Sequence, residues 1–265
     1  MGAWPWNSVL VTGASSGLGR ALAEGCAAPG VTLHLSGRDA TRLEAAAESC
    51  RARGADVRAA VLDVTDAAAM RGWIDGAGRL DLVIANAGIS GGTGGTTEPA
   101  GQVARIFATN VGGVLNTALP AIEAMAAQPP DARGLRGQVA VVASIAAFVA
   151  APGAPAYCAS KSAVQRWAEA LDATERRRGI RLHAVCPGYI RTPMTAQNPF
   201  PMPFLMTAED AAARTLRGLA RGVVGGAVRI AYPLPLYLMA RIAGGMPPSW
   251  RNALFNRLPA KQALD

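Results

Sequence analysis

Short apolar runs alternate along this chain with longer helix-like stretches. The runs lie at about 8–12, 31–36, 57–62, 80–85, 138–144, 180–186 and 227–231. Helix-like stretches fall between them, near 17–28, 40–53, 66–77, 101–127, 155–178 and 207–222. A run such as Val139-Ala140-Val141-Val142-Ala143 is apolar at every position, as a parallel strand buried on both faces must be. Strand and helix in strict alternation predict an α/β fold, a doubly wound parallel sheet with right-handed crossovers. No internal repeat or linker interrupts the pattern, so residues 1–265 read as one domain.

Composition agrees. Hydrophobic residues make up 51% and charged ones 17%, which excludes a disordered chain. At 265 residues the chain can bury a full core. The net charge of +8 raises nucleic acid as a partner, yet the arginines are scattered over most helices. The local clusters Arg176-Arg177-Arg178 and Arg214, Arg217, Arg221 accompany no nucleic-acid motif, so no such partner is expected. An anionic substrate or an acidic membrane surface stays open. Cys26, Cys50, Cys158 and Cys186 have no metal-ligand spacing and read as reduced thiols. His34 and His183 lie in apolar strands without a metal partner, so no metal is expected. Residues 1–7 lack a basic region followed by an apolar run, and a cytoplasmic location is expected.

Candidate chemistry begins after the first strand. Thr12-Gly13-Ala14-Ser15-Ser16-Gly17-Leu18-Gly19 opens an Ala/Leu-rich helix. Glycines there allow a tight turn and close approach to a pyrophosphate, and the helix N-terminus offers unpaired N–H groups to the anion. Basic residues number 24 Arg and 2 Lys, and Lys161 is one of those two. It stands one helical turn after Tyr157, so its ammonium can sit beneath the phenol. A close cation favours the ionised phenol, which predicts a Tyr157 able to give and take protons near neutral pH. Ser144 closes the fifth strand, where open α/β sheets bind ligands, and its hydroxyl could donate to a developing oxyanion.

Thr-Gly-x-x-x-Gly-x-Gly, Asn86-Ala87-Gly88, Asn110, Ser144, Tyr157/Lys161 and Pro187-Gly188, in this order, resemble the short-chain dehydrogenase/reductase family. The resemblance runs from about residue 8 to 231 and implies a seven-stranded Rossmann-type sheet in the order 3-2-1-4-5-6-7, sandwiched between helical layers. It implies Asn110, Ser144, Tyr157 and Lys161 as catalytic residues. Asn110 would distort its helix and hold a water beside Lys161 for proton relay. Cofactor contacts are implied at Gly13, Ser15, Ser16, Gly17, Leu18, Gly19, Asn86, Ala87, Gly88, Tyr157, Lys161, Pro187, Gly188, Ile190 and Thr192, with Asp63 and Val64 beside the adenine. Ala85 stands where the family often has a second Asn. The family's dimer contacts fall on helices 101–127 and 155–178, so a homodimer or homotetramer is expected.

Cofactor choice turns on Leu35-Ser36-Gly37-Arg38-Asp39. An NAD-preferring site would put a carboxylate there for the ribose 2′-hydroxyl. Here Gly37 is followed by Arg38, whose guanidinium can grip a 2′-phosphate. Asp39 can cap the following helix or neutralise Arg38. NADP(H) is expected in preference to NAD(H), for hydride transfer between the nicotinamide and a small-molecule carbonyl or secondary alcohol. An NAD-linked alcohol or sugar dehydrogenase is the alternative, and a non-catalytic dinucleotide sensor is a further one.

Substrate contacts are expected from Ser144 and Tyr157, and from Phe200, Met202 and Phe204 in a lid at about 189–206. That segment is apolar and adaptable, favouring a lipophilic substrate. The loop Ser90 to Thr97 reads as flexible. A C-terminal apolar extension at about 232–265 includes Leu234 to Met246, too short to span a bilayer. Trp250, Leu254, Phe255 and Leu258 form a stripe beside Arg251, Asn252, Asn256 and Arg257. A cover on the pocket or a subunit interface is favoured, and a basic amphipathic element on a membrane surface is the alternative.

Overall fold

The computed structural model describes residues 4–198, 200–222, 227–255 and 261–264. Seven strands alternate with helices: β1 (Ser8–Thr12), α1 (Gly17–Cys26), β2 (Thr32–Gly37), α2 (Ala40–Arg51), β3 (Asp56–Val61), α3 (Ala67–Asp75), β4 (Leu82–Ala85), α4 (Ala100–Phe107), α5 (Gly113–Ala127), β5 (Gly137–Val142), α6 (Pro155–Glu175) and β6 (Ile180–Pro187). Then come α7 (Pro193–Ala196), α8 (Ala208–Gly222), β7 (Arg229–Tyr232), α9 (Leu234–Gly245) and α10 (Pro248–Phe255). All strands run parallel in one sheet, ordered β3-β2-β1-β4-β5-β6-β7.

Side chains alternate across each strand, and both faces are covered. On one side Val9, Val11, Leu82, Ile84, Ala140, Val142 and Val185 meet α1, α2 and α8. On the other, Leu10, Val83, Val139, Val141, Leu182 and Ala184 meet α3, α5 and α6. This double burial is why the strand sequences lack an in–out pattern. The exception is β3 at the sheet edge, with Asp56 and Arg58 exposed. Charges on an edge strand discourage further pairing.

The expected helix at 101–127 is interrupted. A π-helical turn at Ala108–Gly112 separates α4 from α5, and fully buried Asn110 sits inside it. Its side chain bonds the backbone of Ile89 from both ends: Oδ1 accepts from Ile89 N at 2.8 Å and Nδ2 donates to Ile89 O at 2.9 Å. Nδ2 also donates to Ser160 Oγ at 3.1 Å. These bonds tie the bulged helix to the loop after β4 and to α6.

The loop expected to be flexible is seated against the C-terminal tail. Gly92 N donates to Gln262 O at 2.8 Å, and Gly94 N donates to Lys261 O at 2.9 Å. Lys261 Nζ reaches Ser90 Oγ at 2.9 Å, and buried Gln102 accepts from Leu264 N at 2.6 Å. Glycine is required at 92, because a Cβ would lie 2.3 Å from Lys261 O. Gly91 and Gly92 admit close approach of the tail, while Gly94 and Gly95 take positive φ with nothing closer than 3.9 Å to an added Cβ.

Candidate active site

A cleft of about 700 Å³ opens at the C-terminal ends of the central strands. Gly13, Ser15, Ser16, Gly17, Leu18 and Gly19 form one wall, at the turn between β1 and α1. Gly13 takes φ +66° and lies against Ala87; an added Cβ would sit 2.9 Å from Ala87 Cα. At Gly19 a Cβ would lie 2.2 Å from Gly13 O and 2.4 Å from Asn86 Nδ2. Asn86 closes the arrangement by donating to Thr12 O at 3.0 Å and Gly13 O at 3.3 Å. Thr12 Oγ1 in turn accepts from Asn86 N and Ala87 N. The first turn of α1 carries no acidic residue, and Ser16 makes no side-chain cap. Its N–H groups and the helix dipole therefore face the cleft ready for an anion.

At the far end lie Ser36, Gly37, Arg38, Asp39, Arg42, Asp63 and Val64. Asp39 is the N-cap of α2, accepting from Arg42 N at 2.9 Å and from Arg42 Nε at 2.8 Å. Those bonds hold its carboxyl below the usual carboxylate range. Arg38 pairs instead with Asp63 at 3.9 Å. Asp63 also accepts from the backbone N and hydroxyl of Thr65, which with Arg38 lowers its pKa. Gly37 packs against Ser15, whose Cβ and Oγ would each stand 3.1 Å from a side chain at 37. Sequence reasoning singled out Arg38 and missed Arg42. The signal was present: an Arg three residues after a capping Asp points back over the helix start.

The central part holds the polar groups. Ser144 caps a 3₁₀ turn at Ile145–Phe148, its Oγ accepting from Ala146 N at 3.0 Å. Its hydroxyl also hydrogen-bonds the phenol of Tyr157. Pro155 begins α6 and Tyr157 stands in its first turn, which puts Lys161 one turn deeper. Lys161 is 4% exposed, donates to Val142 O at 2.8 Å and lies 5.9 Å from the Tyr157 ring centre.

The electrostatics differ from the sequence expectation. Burial pushes the Tyr157 phenol up to about 12, against the opposing Ser144 hydrogen bond. Lys161 falls to about 8 because burial disfavours its charge. Desolvation thus dominates at both groups, and the Lys161 ammonium is engaged by the Val142 carbonyl. At neutral pH Tyr157 holds its proton firmly.

Each expected cofactor residue lines this one cleft: the 13–19 turn, Arg38, Asp63, Val64, Asn86, Ala87, Gly88, Tyr157, Lys161, Pro187, Gly188, Ile190 and Thr192. Asn110 stands just behind, since a Cβ on Gly88 would lie 3.2 Å from Asn110 Oδ1 and 3.3 Å from Lys161 Nζ. The expected substrate residues divide. Ser144 and Tyr157 line the cleft, but Phe200, Met202 and Phe204 do not. Phe200 leans on Tyr189 with ring centres 6.2 Å apart, Met202 Sδ accepts from Asn198 Nδ2, and Phe204 is half exposed at φ +59°. The reason is a chain reversal: Arg191 N donates to Met206 O and Met206 N to Tyr189 O, so the segment folds back on itself. Pro193, Met194 and Thr195 of α7 take the lining positions instead. Tyr189, close enough to Tyr157 for their charges to interact, was also missed. Among the described residues no group of His, Cys, Asp and Glu could hold a metal ion.

The family model described as short chain dehydrogenase matches residues 7–200. A protein of Myxococcus xanthus described as an uncharacterized oxidoreductase is 36% identical over 257 residues, covering 96% of this chain and 98% of its own. Gluconate 5-dehydrogenase of Gluconobacter oxydans is 33% identical over 198 residues, covering 70% and 72%. A crystal structure of a short chain dehydrogenase/reductase from Burkholderia phymatum in complex with NAD superposes with a TM-score of 0.77 at 23% identity, covering 100% of both chains. That likeness establishes the shared fold.

Proposed function

Because this chain belongs to the short-chain dehydrogenase family, we propose that it transfers hydride between NADP(H) and the carbonyl or secondary alcohol of a lipophilic small molecule. The observation that carries the reading is the meeting of Ser144, Tyr157 and Lys161 in the same cleft as the glycine turn. The cleft fits a dinucleotide on its own geometry. Close-approach glycines open it, the α1 N-terminus faces it, and the buried Ser36 hydroxyl that lines it has no partner among the described residues.

The residues of the chain then divide the work. Gly13 to Gly19 and the α1 N-terminus take the pyrophosphate. Ile190 and Thr192 hold the carboxamide end. When bound, the coenzyme supplies or accepts the hydride. Ser144 and Tyr157 hold the substrate oxygen between two hydroxyls, and Tyr157 donates its proton as negative charge develops there. Lys161, with a pKa near 8, replaces that proton from the α6 side, helped by the water that Asn110 would position. A phenol near 12 is protonated throughout the neutral range, the state from which it can donate to a developing alkoxide.

Two features support NADP(H). Arg38 and Arg42 both flank the end of β2, and position 37 carries no carboxylate. Assembly as a homodimer or homotetramer through α4–α5 and α6 is supported by the exposed Phe107 and Leu119 on those helices. The test is NADPH oxidation followed by absorbance across aldehydes, ketones, steroids and 3-oxoacyl compounds. Tyr157→Phe should lower turnover by several orders of magnitude while NADPH still quenches tryptophan fluorescence. Near-parental activity in that variant would refute the assignment. Selective oxidation of polyols with NAD would instead favour the alternative of a sugar dehydrogenase.

A further inference from the structure

Helix α9 is built inside out. Its inward positions are small: Ala240 and Ala243 are buried, and a Cβ on Gly244 would lie 1.8 Å from Phe148 O. Its large side chains point away. Leu234, Leu238, Met239 and Ile242 are 61%, 50%, 56% and 65% exposed. At 100° per residue, the exposed positions 234, 235, 238, 239, 241, 242 and 245 share one arc of about 160°. Within that arc the sole polar side chain is Arg241, at its margin. Trp250 of α10 adds a 70% exposed indole. Half of the large apolar side chains exposed among the described residues fall between 234 and 250.

A lid would show the opposite arrangement, with its large residues over the pocket. The helix instead rests on the 3₁₀ turn after Ser144 through its small residues and through Tyr237, whose ring meets Phe148 at 5.2 Å. Charge singles out the occupant of the outward face. From residue 211 to 264 the sequence has no acidic residue and eight cations, of which Arg229 is paired with Glu169 and Lys261 is turned to Ser90, while Arg241 stands at the margin of the outward face. A symmetric dimer through α9 would bring the Arg241 of each copy onto one seam that holds no acidic side chain of this helix. Its area is also short: a 12-residue helix is about 18 Å long, and one such strip falls well below the roughly 800 Å² per partner of a stable interface.

We propose that α9 and the start of α10 form a docking face for an anionic lipid bilayer, lying in the plane of its surface. Leu234, Leu238, Met239, Ile242 and Trp250 enter the acyl boundary while Arg241 at the margin of the face meets the headgroups. No helix of the described residues is long and apolar enough to cross a membrane. A helix lying in the plane of the surface engages one leaflet. The attachment does not depend on the catalytic reading, and its test uses no turnover.

The full chain is sedimented with vesicles of phosphatidylcholine alone and of phosphatidylcholine with phosphatidylglycerol. Binding is expected to the anionic vesicles and to weaken with salt. Leu238→Asp with Ile242→Asp should lower the partition coefficient roughly tenfold or more. Both positions are exposed, so thermal melt and gel-filtration radius should match the parent. Arg241→Glu should reduce the preference for the anionic vesicles. A chain that stays in the supernatant with anionic vesicles at low salt overturns the proposal. So does vesicle binding that the double substitution leaves unchanged. An oligomer that the double substitution splits would make a second copy the occupant, and would overturn it equally.

Discussion

Removing Arg38 and Arg42 together gives the sharpest test of cofactor choice. Both guanidiniums line the cleft beside Ser36 and Gly37, and both are well exposed, with side chains at 66% and 59%. A charge-assisted hydrogen bond contributes about 1.5–3 kcal/mol when sheltered; at this exposure about 1–2 kcal/mol each is the fitting range. Their present partners cost little to give up. The Arg38–Asp63 contact is 3.9 Å long, and Asp39 keeps its backbone bond to Arg42 N whatever side chain stands at 42. Two contacts at about 1–2 kcal/mol each, at 1.4 kcal/mol per factor of ten, give a fall of roughly 30- to 1,000-fold. Arg38→Ala/Arg42→Ala should therefore lower kcat/KM for NADPH by about a hundredfold. For NADH the change should stay within about threefold, because no phosphate reaches the vacated ground. Steady-state rates with both coenzymes, at low and high salt, provide the readout, and the loss should shrink with salt. Equal losses for NADPH and NADH, or a parent enzyme that already prefers NADH, would show that these arginines do not read a 2′-phosphate. The reciprocal change, Gly37→Asp, brings a Cβ to 3.1 Å from Ser15 Cβ and Oγ, so Ser15 must give by a few tenths of an ångström, and the added carboxylate should weaken NADPH.

Further outcomes follow from burial. Lys161 has a folded pKa near 8 against about 10.4 when unfolded, so its charge is held at a cost of about 3 kcal/mol below pH 8. The unfolded chain binds more protons between those values, so the cost fades as pH rises from 8 to 10. Lys161→Met should abolish turnover yet melt no lower than the parent at pH 7, with the difference narrowing toward pH 10; a large loss of stability at pH 7 would contradict this. His183 is held near 4 by burial, against about 6.5 unfolded, with Nδ1 facing Ala227 O at 3.2 Å and Arg181, Arg176 and Asp172 nearby. Its contribution is complete above pH 6.5 and lost as pH falls to 4, amounting to about 3 kcal/mol. A melting-temperature profile for His183→Gln should be flatter over that window than the parent's. Truncation before Lys261, or Gln102→Ala, should raise amide exchange across Ser90–Thr97 by releasing the bonds from Gly92 and Gly94. Unchanged protection there would mean the tail does not hold the loop.

The alternation of strands and helices, the glycine turn and the Tyr157–Lys161 spacing were legible because each is written in local chemistry; the strand order was implied by the family resemblance alone. Uninterrupted apolar runs specify buried parallel strands, and a spacing of four places Tyr157 and Lys161 on one face of α6 before any tertiary contact exists. The glycines at 13 and 19 announce close approach, although the sequence does not say to what; the structure supplies Ala87, Gly13 O and Asn86. Three matters were decided only by segments meeting from far apart. The pKa order of Tyr157 and Lys161 follows from enclosure by Val142, Ser144 and their neighbours, and desolvation depends on what surrounds a group, which spacing along the chain does not encode. The glycine loop at 90–95 lies under the C-terminal tail, a contact spanning some 170 residues. Composition showed Leu234 to Met246 as apolar but not which way it faces. That was settled by Phe148 O, which admits only glycine at 244 and so turns the large side chains of α9 outward.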